Sequence, residues 1–390
     1  MKLRILLPLL LCLAWNNIPA LDAFGVGSHW NEAKYWPLLK DAGVQWVRID
    51  LSWYHFENVP GNFGNQSVDQ ALHMADSLGL KVVAILGYTP NWAACGGGTN
   101  NKFGPAEAYY PQWFAYLDST VSEYRNLVDA WEVWNEPDQR YFYQAGPGCH
   151  STIAKDDYYW LEAKSLEHLR AKFGAQLQIT SSGFALGGNN DPTLFPDLLS
   201  SHPEIWKQWN VLSVHGYGYP TQKNLLSRIA IANDFHKTHP GVPVWLTEHG
   251  VTGMIKNNVS VADAGAFMVR NYATALSNGI EKVFWFRLIP GKDYATLLDK
   301  SGTPTEFLWI YKRLIQHWGA ATHVEPWTEQ NAQGAVATLP NGNKAYILWA
   351  DQSTPLKLTG VISVRDIFGN ALATDSITLN PSPLFITTHG

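Results

Sequence analysis

Short apolar runs alternate with longer amphipathic segments from Phe24 to about Trp318. Such alternation predicts strands that are each followed by a helix. The predicted strands cover 24–28, 44–51, 81–87, 128–135, 177–182, 211–217, 243–248 and 281–287. The predicted helices cover 31–42, 67–79, 111–125, 155–173, 193–209, 223–239, 261–277 and 304–318, and several of them stop at a glycine. Eight such units predict an α/β fold, the closed (β/α)8 TIM barrel.

The pattern changes after Gly319, where short alternating runs are separated by Asn-Gly, Gly-Asn and Pro-Ser turns. Runs at 334–338, 344–349, 356–358, 361–364 and 376–379 predict a small C-terminal antiparallel β domain, which we expect to be β-sandwich-like over 320–390. The catalytic barrel is then expected over 24–319. Three aromatic residues of the last domain, Trp327, Tyr346 and Trp349, fit packing against the barrel better than carbohydrate binding.

The first residues carry Lys2 and Arg4, followed by an apolar run and then small residues up to Ala23. This pattern predicts a secretory signal peptide over 1–23, because the apolar run is shorter than the roughly 20 residues that span a bilayer. We therefore expect a periplasmic or secreted protein without a membrane span. The remaining chain has 26 basic and 32 acidic side chains, a net charge of −6, which argues against nucleic acid as a partner.

Cys12 falls within the predicted leader, so the exported chain keeps Cys95 and Cys149. An even pair in an exported protein predicts a disulfide, with two free thiols as the alternative. The two cysteines follow the third and fourth predicted strands, so their loops are expected on the same face of the barrel.

Two strand-like runs each end in a glutamate. Glu136 stands in Trp134-Asn135-Glu136-Pro137, and Glu248 stands in Thr247-Glu248-His249-Gly250. Because the carboxyl ends of barrel strands converge on one mouth, both side chains are expected to face one substrate. A carboxyl pair is the minimum for glycoside hydrolysis, since one group donates a proton while the other attacks or activates water. The 18 Trp and 17 Tyr residues suit sugar stacking, although most Trp side chains are expected to pack the core.

Alternation with a period of two brings further polar side chains to the same mouth. The pairs that share a strand face are Arg48 with Asp50, His215 with Tyr217, and Trp285 with Arg287. Glu132 is interpreted as structural. His249 alternates away from Glu248 and is expected to pack between strand and helix.

These segments resemble the clan A glycoside hydrolases, and are most similar to family 39 in the branch of the exopolysaccharide endoglycosidase PslG. The matching pieces are Phe24-Gly25-Val26 with His29-Trp30, Val47-Arg48-Ile49-Asp50 with Trp53, Ile85 to Ala93, Trp134 to Pro137, His215-Gly216-Tyr217, Thr247 to Gly250, and Phe284-Trp285-Phe286. The resemblance covers the whole barrel. It implies a retaining mechanism with Glu136 as general acid/base and Glu248 as nucleophile.

The supporting residues have physical roles in such a site. Arg48 would favour the ionised form of Glu248, Tyr217 would donate a hydrogen bond to it, and His215 would complete the network. Asn135 suits the sugar 2-hydroxyl. The expected substrate-binding residues are His29, Trp53, Tyr88, Trp92, Trp285, which would stack under the sugar, and Arg287. Glu136 needs a raised pKa, and the strand must end or bulge at Asn135 so that both residues line the site.

Neither a cofactor nor a metal is expected, because the sequence has no chitinase-like Asp-x-Asp-x-Glu run and no zinc-ligand spacing. The short loop after the first strand leaves the groove open there, which favours endo action on a polysaccharide, with a bacterial exopolysaccharide expected. Further loop aromatics for stacking are Tyr141, Tyr143 and Phe184. Three alternatives stay open: an exo-acting β-xylosidase-like enzyme, a transglycosylase of the same clan, and a barrel that binds glycans without catalysis.

Overall fold

The computed structural model describes residues 21–98, 100–187, 191–291, 293–329 and 331–390. The predicted leader lies outside the described residues up to position 20. Leu21 to Ala23 are described, and they contact the base of the barrel. Asp22 pairs there with Lys81 and Lys282 at 2.7 and 3.3 Å. A leader that ended after residue 23 would remove these contacts.

Eight parallel strands form one nearly closed sheet in the order β5-β4-β3-β2-β1-β8-β7-β6. Their bounds are β1 Phe24–Gly27, β2 Trp46–Asp50, β3 Lys81–Leu86, β4 Ala130–Val133, β5 Ile179–Thr180, β6 Leu212–His215, β7 Val244–His249 and β8 Ile280–Phe286. Between β5 and β6 the contact is reduced to isolated parallel bridges, Thr180 with Val211 and Phe184 with Val214. The predicted TIM-like barrel is therefore confirmed.

The helices surround this sheet. Their bounds are α1 Trp36–Ala42, α2 Trp53–Phe56, α3 Gln66–Leu78, α4 Tyr110–Tyr124, α5 Ala154–Phe173, α6 Leu194–Ser201, α7 Pro203–Trp206, α8 Lys223–Thr238, α9 Val261–Ser277 and α10 Glu306–Trp318. Short 3-10 helices at Trp30–Tyr35 and Glu107–Tyr109 precede α1 and α4. The helix predicted over 193–209 is interrupted, because Pro203 starts a new helix and cannot continue the first.

Inward-facing side chains fill the barrel in layers. The layer at the amino ends of the strands is apolar and consists of Trp46, Val83, Ala130, Val211, Trp245 and Phe284. Gly25 of β1 leaves room for this packing, because a Cβ there would lie 2.4 Å from the Phe284 ring. Lys282 covers this layer at the amino end, over the rings of Trp46 and Trp245. The cleft and its polar side chains lie on the other side of the layer, at the carboxyl ends.

A separate antiparallel domain follows the barrel. Its five-stranded sheet has the order β13-β15-β11-β10-β9, and β12 pairs with β14. The bounds are β9 Val324–Glu329, β10 Ala332–Thr338, β11 Lys344–Ala350, β12 Thr354–Leu356, β13 Val361–Arg365, β14 Ile377–Leu379 and β15 Leu384–Thr388. Trp349 is 3% exposed and belongs to the barrel core cluster, as the packing expectation for this residue requires. Trp327 and Tyr346 pack edge to face on the second, smaller core.

Two features bear on the compartment. Cys95 and Cys149 are joined as a disulfide with their Cα atoms 5.1 Å apart, and the bond links the loops after β3 and β4. Across the described ranges, no helix has both the length and the apolar character to cross a bilayer.

Candidate active site

A cleft of about 640 Å³ opens at the carboxyl ends of the strands. Its walls include Asn135 and Glu136 after β4, Glu248 of β7 and Phe286 of β8. The loop between β1 and the first 3-10 helix consists of Ser28 and His29 alone, and both residues line the cleft. The cleft therefore lies where the convergence of the strands predicts a substrate site.

Unusual backbone conformations deliver the first carboxylate. Trp134 and Glu136 adopt positive φ angles of 67° and 46°, a region that side chains other than glycine rarely occupy. This breaks the strand alternation, so that Asn135 and Glu136 both reach the cleft, as expected. Hydrogen bonds hold the turn: the amide of Trp134 donates to the Leu86 carbonyl, and that of Glu136 donates to the Gly183 carbonyl at 3.0 Å. Local strain of this kind concentrates at functional sites.

The second carboxylate reaches the cleft through an irregularity in β7. The pairing register between β7 and its neighbours shifts after Leu246, so Glu248 pairs with His215 and turns inward. His249 then points outward as expected, where its ring stacks on Phe267 of α9 and bonds Asn271 at 2.9 Å.

The two carboxylates face each other. One oxygen from each of Glu136 and Glu248 and one ring nitrogen of His215 lie within 4.8 Å of one another. Direct attack by one carboxylate on a sugar held by the other requires the groups roughly 5–5.5 Å apart, whereas an intervening water requires about 6.5–9.5 Å. The observed spacing matches the shorter class.

Glu248 sits among positive charge and hydrogen-bond donors. Arg48 donates from Nη1 to one carboxylate oxygen at 2.7 Å, and the Tyr217 hydroxyl donates to the other at 2.7 Å. Burial alone would favour the neutral acid. The charges of His215 and Arg48, with these hydrogen bonds, outweigh it and lower the pKa of Glu248 below its ordinary value. The group is ionised at neutral pH.

Glu136 has the opposite environment. Burial raises its pKa above the ordinary value, and the charge on Glu248 adds to this effect, although a hydrogen bond to His215 opposes it. His215 Nδ1 lies 2.7 Å from Glu136 Oε1, and the Gln139 amide donates to the other oxygen at 2.6 Å. The pKa values of the two glutamates are therefore shifted in opposite directions, which favours the neutral acid at Glu136 and the carboxylate at Glu248.

Arg48 is fixed by a residue that alternation left unassigned. Glu132 is fully buried and binds Arg48 through both carboxylate oxygens, at 2.5 Å to Nη2 and 3.2 Å to Nε. Asn135 accepts a third bond from Arg48 at 2.7 Å. The signal that could have found Glu132 is its register: it follows Ala130, which faces the barrel interior, by two residues.

Gly183, just after β5, completes this network. Its amide donates to Glu132 at 3.1 Å, and its carbonyl accepts from the Glu136 amide. A Cβ at this position would lie 2.3 Å from His215 Nε2 and 3.1 Å from Arg48 Nη2. Both the buried ion pair and the turn that carries Glu136 thus depend on one residue without a side chain.

A third carboxylate occupies the cleft wall near β1. Asp50 accepts from His29 Nδ1 at 2.6 Å, and His55 Nδ1 lies 3.4 Å from its other oxygen. Although burial opposes ionisation, the two histidines lower the pKa of Asp50 well below its ordinary range. Against the effect of burial, Asp50 in turn raises the pKa of His29. The predicted binding residue His29 thus lines the cleft as part of an ion pair.

Two predicted binding residues on β8 were assigned to the wrong face. Phe284 and Phe286 pair with the inward Gly25 and Gly27 of β1, so Trp285 points outward. Trp285 is 0% exposed and donates its indole N–H to the Ala295 carbonyl, and a sugar cannot stack on it. Arg287 is absent from the cleft lining and binds Glu32 at 2.8 Å. Phe286 lines the cleft instead, because a shift of one residue exchanges the two faces of a strand.

The tryptophans of the β2 and β3 loops also pack inside the protein. Trp53 is 0% exposed and stacks on Tyr116 of α4, so the expectation that it binds sugar is wrong. Trp92 packs edge-on against Trp53 and is absent from the cleft lining. Tyr88, the remaining predicted residue of this group, does line the cleft, as does the exposed Tyr141. The other two loop aromatics, Tyr143 and Phe184, are buried.

The same trio of Glu136, His215 and Glu248 has donor atoms close enough to surround a cation. Their chemistry does not favour one, because the guanidinium of Arg48 already neutralises an oxygen of Glu248 at 2.7 Å. A metal ion would be repelled by that charge, and the trio offers a single nitrogen ligand.

Residues 119–311, which include both cleft glutamates, match the family model described as the glycosyl hydrolase catalytic core. Comparison with the sequences of curated proteins gives no match. The fold is similar to a family 39 glycoside hydrolase from the gut symbiont Bacteroides cellulosilyticus WH2, with a TM-score of 0.73, 18% identity, and coverage of 95% of this chain and 81% of that one.

Two further solved structures share the fold. The family 30 subfamily 8 xylanase Xyn30A from Clostridium acetobutylicum has a TM-score of 0.62, 14% identity, and coverage of 95% of this chain and 97% of its own. The endo-β1,6-glucanase BT3312 has a TM-score of 0.64, 13% identity, and coverage of 95% and 92%. The family match, together with a fold that glycoside hydrolases share, supports a glycosidase.

Proposed function

We propose that the protein is a retaining glycoside hydrolase that cleaves β-glycosidic bonds within a polysaccharide. Glu136 is the general acid/base and Glu248 is the nucleophile. The observation that carries this proposal is the buried pair itself: two carboxylates with oxygens within 4.8 Å and pKa values shifted in opposite directions. Environments that separate two carboxyl groups in this way assign the acid and the nucleophile.

In the first step, an oxygen of ionised Glu248 attacks the anomeric carbon while Glu136 gives its proton to the glycosidic oxygen. The bond to the leaving sugar breaks, and a glycosyl ester on Glu248 forms. The negative charge on Glu248 disappears with the formation of this ester. The pKa of Glu136 then falls, because the charge that helped to keep it protonated is gone.

In the second step, Glu136 acts as a base. It takes a proton from a water molecule, whose oxygen attacks the same anomeric carbon and releases Glu248 as a carboxylate. Two inversions at one carbon give net retention. Arg48 and Tyr217 hold the rotamer of Glu248 throughout, and the Asn135 side chain faces the cleft, where it can bind the sugar 2-hydroxyl.

The cleft favours action within a chain. The β1 loop contributes only Ser28 and His29, too short a segment to build a wall on that side, and the exposed Tyr141 extends the lining outward from the buried carboxylates. The exopolysaccharide substrate rests on the sequence resemblance to the PslG branch. Export rests on the residue pattern of the leader and on the disulfide between Cys95 and Cys149, a bond typical of oxidising compartments.

Paired substitutions test the assignment. Glu248→Gln should abolish hydrolysis, and Glu136→Gln should lower it by roughly 10²–10⁴-fold on natural glycans while sparing substrates with activated leaving groups. Azide should rescue Glu136→Ala on such a substrate, and a fluorosugar of matching specificity should label Glu248.

Glu162→Gln is the matched control. Glu162 is another fully buried glutamate, on α5, and burial raises its pKa well above the ordinary value. A glutamine resembles its neutral acid, so hydrolysis should be unchanged. Products of inverted configuration would exclude retention. Monosaccharide as the sole early product would replace the endo assignment with a β-xylosidase-like exo enzyme, and a sugar hydroxyl as the preferred acceptor would indicate transglycosylation.

A further inference from the structure

Lys102 is a cleft residue that the proposed mechanism does not use. It lies in the loop between β3 and α4 and lines the cleft. Its Nζ atom is 3.9 Å from the centroid of the Tyr88 ring and 5.3 Å from that of Phe142. The cation thus sits over two aromatic rings on the wall that leads to the carboxylate pair.

No ion pair joins Lys102 to a carboxylate among the residues that the structure describes, although the charge of Asp50 acts on it from a greater distance. The carboxylate of Asp50 instead pairs with His29 and His55. Burial lowers the pKa of Lys102, which records the cost of keeping its charge in a partly dry site. A cation so placed is stabilised when an anion enters the cleft.

The backbone that carries Lys102 is held in place. The Lys102 amide donates to the Asn100 side chain at 2.8 Å, and its carbonyl accepts from the Gln144 amide at 2.9 Å. The Cys95–Cys149 disulfide joins the same two loops. Because these bonds hold the backbone of Lys102 in place, little backbone freedom is lost there when a ligand binds.

The distribution of charge in the cleft limits where an anionic group can lie. The inner part carries Glu136 and Glu248, which would repel an anion on the reacting sugar, whereas the charge of Asp50 on the wall is shared with His29 and His55. Tyr54 also lines the cleft, and burial and the charge of Asp50 raise its pKa to about 12, so that its hydroxyl remains a donor. An anion is therefore accommodated beside Lys102 rather than at the reacting carbon.

We infer that Lys102 binds a carboxylate carried by the polysaccharide, so that the substrate is an acidic glycan bearing a uronic acid or a pyruvate ketal. This inference rests on the proposed function, since it assigns the substrate class of the same cleft. The charged hydrogen bond supplies specificity at a sugar beside the one cleaved.

The test compares acidic glycans with neutral forms of the same chains. Glucuronoxylan, alginate and xanthan are each used intact and after carbodiimide–borohydride reduction, which converts their carboxyl groups to alcohols. Mild acid removes pyruvate ketals from xanthan and leaves its uronates. Initial hydrolysis rates are measured with the active enzyme, and retention in glycan-containing gels with the Glu248→Gln variant.

We expect at least one intact glycan to be preferred over its reduced form by roughly tenfold or more, the ratio that a charge-assisted hydrogen bond gives. Lys102→Met should erase the preference, Lys102→Arg should retain most of it, and high salt should weaken it. Lys312→Met is the matched control, because Lys312 also lies over a ring, that of Trp309, at 5.9 Å, but on α10 outside the cleft. It should leave the ratio unchanged.

Two results would overturn the inference: an unchanged ratio in Lys102→Met, or no acidic glycan preferred over its reduced form. If reduced glycans are cleaved by the wild-type enzyme in either case, the proposed function stands while the inference fails. If gels that contain an acidic glycan retain the protein and Lys102→Met abolishes this retention, but no glycan is cleaved, the inference stands and the hydrolytic function fails.

Discussion

Each end of the barrel buries one cation, and the two cations differ in how exposed their carboxylate partners are. At the amino end, Lys282 lies over the Trp46 and Trp245 rings at 4.8 and 5.1 Å, and its carboxylate partners Asp22 and Glu281 are 35% and 48% exposed. At the carboxyl end, Arg48 is about as buried, but its partners Glu132 and Glu248 are 0% and 11% exposed. The ion pairs with partly exposed partners stabilise the barrel, whereas the buried set at the carboxyl end also shifts the pKa of Glu248 downward.

Substituting each cation is expected to give the largest effects, and comparing the two variants tests this difference. Arg48→Met leaves Glu132 and Glu248 buried without their partner. We expect the free energy of unfolding to fall by roughly 3–5 kcal/mol. We also expect kcat/KM to fall by about 10³-fold or more, since Glu248 loses its positioning and its charge stabilisation. Chemical denaturation and steady-state kinetics on folded protein separate the two effects.

Lys282→Met is the counterpart at the other end. The loss of ring contacts and partly exposed ion pairs should cost about 1–2 kcal/mol of stability and leave kcat/KM unchanged. Equal losses of activity in the two variants would remove the distinction between the ends.

Glu132→Gln sharpens the comparison by keeping the volume of the side chain. Arg48 loses one of its anchors, so kcat/KM should fall by roughly 10–100-fold. If Glu132 had only a structural role, the rate would change but the pH–rate profile would keep its position. A positioning role has a second sign: with Glu132 neutral, the charge of Arg48 acts undivided on Glu248, the pKa of Glu248 falls further, and the acid limb of the pH–rate profile moves to lower pH. An acid limb that moves upward would contradict this account.

The two faces of β8 provide the next test. Phe286→Ala removes a ring from the cleft and should lower kcat/KM by about tenfold, with the fold retained. Trp285→Phe should instead cost roughly 1–3 kcal/mol of stability and leave the kinetics of the folded protein intact, because Trp285 is buried against the Ala295 carbonyl. A change in KM for Trp285→Phe with stability unchanged would restore the original stacking assignment.

The smallest expected effect concerns the position of the pH optimum. His215 lowers the pKa of both Glu136 and Glu248, through its charge and its hydrogen bond to Glu136. In His215→Gln both pKa values should rise, so that the acid limb and the basic limb both move to higher pH. Profiles of kcat/KM measure this directly. Limbs that stay in place would mean that His215 is uncharged across the working range.

The barrel and the two glutamates of the cleft were accessible from sequence because both rest on simple periodicities. Strand and helix runs follow the alternation of apolar and polar positions, and Glu136 and Glu248 end such runs. The phase of β8 was not accessible, because Phe284, Trp285 and Phe286 at its end and Arg287 just after it offer a large side chain to either face. What fixed it was the pairing with Gly25 and Gly27 of β1, a tertiary contact.

The contact of Glu132 with Arg48 was not predicted, for a related reason. It was interpreted as structural because Asn135 and Glu136 cannot both follow strict alternation, and the irregular turn that this requires left the face of Glu132 undetermined. The strands β9 and β15 were not predicted, since their burial depends on the neighbouring sheet rather than on a clear alternation of their own. The domain boundaries and the roles of the site residues stay predictions.

Gly183 also sets limits on how this protein can evolve. Any mutation there introduces a side chain into space that His215 and Arg48 already occupy, at 2.3 and 3.1 Å. Each such variant would disturb Arg48, which binds Glu248, and His215, which binds Glu136. We therefore expect every substitution at this position to be selected against. Lys102 and Tyr141 line the cleft without a hydrogen bond to Arg48, His215 or either glutamate, so their side chains can change without displacing that network. Descendants of this sequence would therefore change the glycan they recognise by varying the rim, while the reaction at the barrel centre stays the same.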